Sequence, residues 1–179
     1  MKSKVQSPKS NVEKWAIVAL GANLGDSRGN ILGAMRRLEP FSERPSRRSS
    51  LWETTPIHCQ PGSPVFVNAV MGLVTGRDET PETLLAKLQA LEKEFGRRPK
   101  EVLNEPRLLD LDLIVFGYET RATPELTLPH PRAHERRFVL QPLSEFAPDL
   151  ILPGQTISVT ELLHRLPPDE SMRKLDSSL

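Results

Sequence analysis

The 179-residue chain sets 24 basic against 23 acidic residues, a formal net charge of +1, and is 37% hydrophobic and 26% charged. That balance excludes a disordered polyelectrolyte and gives no global reason to expect nucleic acid or another polyanion as partner. A single cysteine, Cys59, excludes an internal disulfide and a cysteine-based zinc site, and fits a reducing compartment.

No run approaches the ~18 apolar residues of a membrane span, and MKSKVQSPKSNVEK at the start lacks the apolar centre of a signal peptide. The expectation is a cytoplasmic protein that enters no membrane. It has one domain over residues 15–166, between a polar extension at 1–14 and a similar tail at 167–179.

WAIVAL (15–20) is a short apolar run ending at Gly21, the signature of a buried strand. After the turn GANLGD, residues 30–39 place Ile31, Leu32, Met35 and Leu38 on one helical face. SSLWET (49–54) predicts a second strand, and the proline-rich TPIHCQPGSP (55–64) a loop. VFVNAVMGLV (65–74) predicts a third strand. Thr80 then caps a helix with Pro81 at its first position, Leu84, Leu85, Leu88, Leu91 and Phe95 as its buried stripe, and Gly96 as its end. GRRPKEVLNEP (96–106) predicts a second loop before a fourth strand. The order β-α-β-β-α-β predicts an α+β, ferredoxin-like fold with αβα layers and C-terminal additions. Among these additions, Ser158 and Glu161 form a capping box for a last helix carrying Leu162, Leu163 and Leu166.

The fourth strand, RLLDLDLIVFG (107–117), holds two carboxylates in an apolar run, where isolated charges cost several kcal/mol unless something positive meets them. Strict alternation puts Asp110, Asp112, Ile114 and Phe116 on one face and Leu109, Leu111, Leu113 and Val115 on the other. At about 3.3 Å per residue the two carboxylates stand ~6–7 Å apart, which suits one or two hard cations. It equally suits an acidic strand end paired with arginines, and spacing alone leaves both readings open. Arg97, Arg98 and Arg107 precede the pair, and Arg132, Arg136 and Arg137 follow it. Cation-binding carboxylates among guanidinium groups are the components of polyphosphate chemistry. There is no G-x-x-x-x-G-K-[ST] loop, and GANLGD is not G-x-G-x-x-G, so neither a P-loop nor a dinucleotide fold is indicated. His130 and His134 are four apart, but Pro131 lies between them and no H-E-x-x-H is present, which weakens a zinc reading. His130 sits rigidly between two prolines, as suits a phosphate contact. Asn68 is either a bridging core amide or a reader of a flat polar ligand, while Phe66 and Phe138 are core residues or stacking rings.

ALGANLGD, TTPI followed by FVNAV, LQALEKEFGR, PRLLDLDLIVFG and LPHPRAHERRFVLQPLSEFAPDL occur in order over about residues 15–166. Together they resemble 6-hydroxymethyl-7,8-dihydropterin pyrophosphokinase of folate biosynthesis. The resemblance implies Mg²⁺-dependent transfer of pyrophosphate from ATP to the pterin hydroxymethyl oxygen, giving AMP. It implies two Mg²⁺ ions at Asp110 and Asp112, and Arg97 and Arg107 as catalytic cations; Lys100, with Arg98 as the alternative, is expected to stand in for the arginine that Pro99 replaces. Gln89, Glu92, His130 and Arg136 fall on the nucleotide side. Thr54, Thr55, Pro56, Ile57, Phe66, Asn68 and Phe138 fall on the pterin side. The implied partners are small molecules, and the chain would act as a monomer, with a dimer as the alternative.

Three positions in the second loop depart from the resembled pattern. Pro99 stands where a second arginine is usual, Asn104 where a tryptophan stacks, and Glu105 where glycine precedes the proline. A ferredoxin-like RNA-binding module is the competing class. It calls for aromatic residues on an exposed sheet, against an aromatic content of 5% and no such motif here. A pyrophosphokinase relative with an altered acceptor is the third reading.

Overall fold

The computed structural model describes residues 14–55, 64–97, 106–169 and 171–176. Its strands are β1 (Lys14–Ala22), β2 (Arg47–Arg48), β3 (Trp52–Thr54), β4 (Phe66–Thr75), β5 (Asp110–Phe116), β6 (Arg121–Ala122), β7 (Thr127–Leu128) and β8 (Arg173–Lys174). Its α-helices are α1 (Ser27–Leu38), α2 (Pro81–Glu94), α3 (Arg137–Ser144) and α4 (Val159–Arg165). The main sheet runs β5-β1-β4-β3-β8, with β2 also on β4, and every pairing is antiparallel. β1, α1, β3, β4, α2 and β5 supply the expected β-α-β-β-α-β core. Two apolar clusters divide at the sheet. Ala16, Val18 and Leu20 of β1 pack with α1 and α2, whereas Ile17, Val70 and Ile114 pack with α3 and α4. The result is the expected αβα layering. No helix among the described residues is long and apolar enough to cross a membrane.

Local chemistry sets the helix borders. Asp26 caps α1 by accepting the Gly29 N–H at 2.9 Å, so the helix starts at Ser27, three residues before the expected range 30–39. Thr80 and Thr83 cap α2 reciprocally, and Ser158 and Glu161 cap α4 in the same way. α3 was not legible, since its segment reads as a proline-rich connection and Pro142 lies within the helix itself. The expected second strand is shortened to β3, while Arg47–Arg48 pair separately with Gly72 and Met71 of β4.

Strict alternation fails in β5. Val18 faces Leu113 and Ile17 faces Val115, so one residue more is accommodated on β5 than on β1. Beyond this bulge the faces exchange: Phe116 joins Leu109, Leu111 and Leu113 against α1 and α2, and Val115 joins Ile114 on the other side. Asp110 and Asp112 precede the bulge and keep the shared face that alternation predicts.

The tail also differs from a polar extension. β8 pairs Lys174 with Trp52 and Arg173 with Glu53, and the Leu175 N–H donates to Leu51 C=O at 2.9 Å. Glu145, just after α3, ties this edge down. One carboxylate oxygen accepts the Ser50 N–H at 2.8 Å, and the other accepts Trp52 Nε1 at 2.8 Å with Lys174 Nζ at 3.3 Å. These bonds outweigh its partial burial and hold the Glu145 carboxyl below its ordinary pKa. A carboxylate lowered by folding stabilises above its unfolded pKa and loses that contribution as pH falls through the folded value. Glu145→Gln is therefore expected to cost about 1–2 kcal/mol at pH 7. Thermal melts of wild type and variant should converge as pH falls through and below the ordinary carboxylate range, and a gap independent of pH would show that the charge is not what stabilises this edge.

Candidate functional site

β5 lies at the sheet edge, and its backbone is covered from two directions. The buried Glu92 of α2 accepts the Leu111 N–H at 2.8 Å, and Ile114 C=O accepts the His130 N–H at 2.8 Å. The first bond fixes the height of α2 beside the acidic pair, and the second sets the proline-flanked His130 next to it. At the start of β5, Arg107 is pinned by its backbone. Its N–H donates to Asn23 Oδ1 at 2.8 Å, and its C=O accepts the Asn23 N–H at 3.1 Å. Asn30 Nδ2 donates to Leu108 C=O at 3.0 Å, fastening α1 to the same place. The GANLGD turn thus serves as a brace for Arg107, a role that buried Asn23 plays and that sequence reasoning missed. A polar residue inside a turn flanked by two apolar elements is the signal that could have found it.

The cations converge on the carboxylates. Arg107 Nη1 lies 2.6 Å from Asp110 Oδ2, and Arg97 Nη1 lies 3.2 Å from Asp110 Oδ1 while also pairing with Glu92. Arg136 Nη1 lies 3.6 Å from Asp112 Oδ2, and its guanidinium carbon is 5.5 Å from the centre of the Phe138 ring. The arginine pairing of the plainer reading is thus present. Arg97, Arg107, Asp110, Asp112, His130 and Arg136 nevertheless form one cluster, whereas Arg137, counted with them along the sequence, donates to the Leu163 and Leu166 carbonyls at the end of α4.

Burial and the neighbouring Asp110 charge raise the Asp112 carboxyl above its ordinary pKa, against the opposing pull of His130, Arg136 and Arg107. Burial, with help from the Arg136 and Arg132 charges, lowers His130 against the pull of Asp112. The Arg132 N–H lies 3.3 Å from His130 Nδ1. His130 Nε2 stands 3.4 Å from Arg136 Nη1, so imidazole and guanidinium sit side by side next to Asp112. Glu92 is raised chiefly by its burial, with the Leu111 N–H and Arg97 opposing. Its carboxylate serves β5 and Arg97, while Gln89, one turn earlier on α2, is exposed.

A second group lies across the sheet on the face that Asp110 and Asp112 share. Cross-strand pairing sets Asp110 opposite Gly21, Gly21 opposite Asn68, and Asn68 opposite Trp52, in one row over β5, β1, β4 and β3. Buried Asn68 donates from Nδ2 to Thr54 Oγ1 at 2.9 Å, so it does bridge two strands. Phe66 sits opposite Thr54, and Phe138 packs at the edge of the cluster formed with α3 and α4. Thr55 is exposed at the end of β3. Pro56, Ile57, Arg98, Pro99, Lys100, Asn104 and Glu105 lie outside the described residues.

Fold and site together define a ferredoxin-like α+β domain whose sheet carries a row of polar groups on one face, carboxylates at one end and a buried amide with aromatic neighbours at the other. Residues 17–148 match the profile of the 7,8-dihydro-6-hydroxymethylpterin-pyrophosphokinase (HPPK) family. The chain belongs to this family. It is 36% identical to a Haemophilus influenzae 2-amino-4-hydroxy-6-hydroxymethyldihydropteridine pyrophosphokinase, over 90% of this chain and 98% of that one. It is 41% identical to the Pseudomonas aeruginosa protein of the same name, over 76% and 82%. Other relatives are longer: it is 33% identical over 90% of its length to a folic acid synthesis protein of Pneumocystis carinii but spans only 21% of it. Among solved structures, a Plasmodium falciparum HPPK-DHPS superposes with a TM-score of 0.67 at 14% identity, covering 86% of this chain and 42% of that one.

Proposed function

We propose that the chain transfers pyrophosphate from ATP to the hydroxymethyl oxygen of 6-hydroxymethyl-7,8-dihydropterin, giving the pterin diphosphate and AMP. The observation that carries this reading is the convergence of Arg97, Arg107, Arg136 and His130 on Asp110 and Asp112, two strands from Asn68 on the same face. The donor set fits Mg²⁺. Among the described residues no third His, Cys, Asp or Glu joins the pair as a metal ligand. Mg²⁺ commonly takes one or two carboxylates and completes its shell with water and phosphate oxygens. Two Mg²⁺ ions held by Asp110 and Asp112 would neutralise charge on the triphosphate.

The protein groups then have separable tasks. Arg97 and Arg107, with Lys100 from the second loop, meet charge that develops on the transferred group. His130 and Arg136 donate to phosphate oxygens, and Gln89 and Glu92 line the nucleotide side. Asn68, Thr54, Thr55, Pro56 and Ile57 bound the pterin slot, with Phe66 and Phe138 as its rings. The work is placement and electrostatics, since in-line transfer through a loose transition state asks little of a general base. In this reading the chain works in the cytoplasm on small molecules, as a monomer. The test is incubation with ATP, Mg²⁺ and the reduced pterin. AMP and pterin diphosphate should form, with formation abolished by EDTA and restored by Mg²⁺. ADP as the product would make the chain a simple kinase or ATPase and overturn the proposal.

A further inference from the structure

Helix α4 ends in a sequence that cannot close it. Its cap residue Leu166 is followed by Pro167 and Pro168, and proline has no N–H. The usual closure takes the N–H groups of the two residues after the cap back to carbonyls of the last turn, so here it is ruled out. The Leu166 N–H reaches Leu163 C=O at 3.3 Å, and three further bonds come from another helix. Arg137, the first residue of α3, donates from Nη2 to Leu163 C=O at 3.1 Å and to Leu166 C=O at 2.9 Å. Its Nε donates to Pro167 C=O at 3.1 Å. One guanidinium fork thus grips three carbonyls, at the end of a helix where its charge is also favoured.

The grip matters because of what flanks it. Arg136 is the cap residue of α3 and makes no side-chain cap bond, so the first turn of this helix lacks the usual fastening. Val139, Leu140 and Leu143 pack into the apolar cluster shared with α4, but they lie further along. Arg137 ties the start of α3 to the end of α4. On one side of it in the chain is Arg136, with Nη1 3.6 Å from Asp112 Oδ2 and 3.4 Å from His130 Nε2. On the other is Phe138, whose ring centre lies 5.5 Å from the Arg136 guanidinium carbon. We infer that Arg137 is a positioning residue for the reaction: by holding the end of α4 it fixes the first turn of α3, and with it the reach of Arg136 towards the phosphates. This rests on the proposed transfer, in which Arg136 donates to the triphosphate. Nε and Nη2 of Arg137 are committed to carbonyls, so it acts through its neighbour and not on the substrate.

Arg137→Met tests this, since it keeps an apolar stem of similar length and removes the three donors. Calorimetry with Mg²⁺ and a non-hydrolysable ATP analogue should show affinity falling about tenfold, the scale of one charged hydrogen bond. Arg137→Lys should recover part of the loss, because an ammonium keeps charge at the carbonyls without the fork. General damage to the fold also lowers affinity, and a double-mutant cycle separates the two causes. In an Arg136→Ala background, Arg137→Met should lower affinity by less than about twofold, because the contact it positions is already gone. An undiminished loss in that background makes Arg137 a structural residue only and overturns the inference, as does wild-type affinity in Arg137→Met. Binding is read apart from turnover, so the two proposals fail differently. A wild-type chain that binds the analogue but releases ADP from ATP loses the transfer, while the cycle still decides Arg137. A wild-type chain that forms AMP while Arg137→Met binds the analogue normally keeps the transfer and loses the positioning role.

Discussion

Asp112→Ala is expected to lower turnover about a thousandfold, ~4 kcal/mol of barrier, with a melting temperature no lower than wild type. The two halves of that result have one cause. Burial and the neighbouring Asp110 charge raise the Asp112 carboxyl above its ordinary pKa, so its charged form is disfavoured where it stands and deleting it relieves the fold. Arg136 loses a partner at 3.6 Å but keeps the Phe138 ring. Asp110→Ala should be equally inactive yet less stable, because it takes the acceptor from Arg107 at 2.6 Å and from Arg97 at 3.2 Å. Turnover by AMP release and thermal melts without divalent cation check both. A variant keeping more than about a tenth of the wild-type rate would retain all but ~1.4 kcal/mol of the barrier reduction, too much for a lost metal ligand.

That asymmetry was not legible in the sequence, although the pair itself was. Alternation placed Asp110 and Asp112 on one face because both precede the bulge. It misplaced Val115 and Phe116 because no local feature of LDLIVFG marks where β1 and β5 fall out of step. Helix α2 was legible to its borders, since Thr80, Pro81 and Gly96 act through their own backbone chemistry. Helix α3 and strand β8 were not. The first carries Pro142 within only eight residues, and the second is too short to have a period and depends on Glu145 and Trp52 from elsewhere in the chain. The same division runs through the site. Arginines could be collected by their crowding along the chain. Which of them rests on which aspartate depends on braces such as Asn23 and Glu92 that only the folded chain brings close.

Arg107→Ala is expected to reduce kcat by about 10- to 150-fold, the equivalent of ~1.5–3 kcal/mol for one charged hydrogen bond at the transition state. Its backbone is held by Asn23 at both the N–H and the C=O, so the guanidinium extends from a fixed base rather than from a loose loop. Arg107→Lys should recover only part of the rate, because an ammonium keeps the charge but not the planar fork. The fold should survive either change, since Arg97 still meets Asp110. A fall in kcat of less than threefold would reduce Arg107 to a counter-charge for the resting protein. Removing both arginines separates the two roles. Arg97→Ala/Arg107→Ala leaves Asp110 and Asp112 side by side without the cations on Asp110, so the melting temperature should drop by more than the sum of the single changes. Added Mg²⁺ should return much of that loss while turnover stays absent. A cation that binds only the native carboxylates stabilises by mass action, whereas the lost guanidinium groups would still be missing at the phosphates. If Mg²⁺ leaves the melting temperature of the double variant unmoved, Asp110 and Asp112 are partners for arginine and not a site for metal.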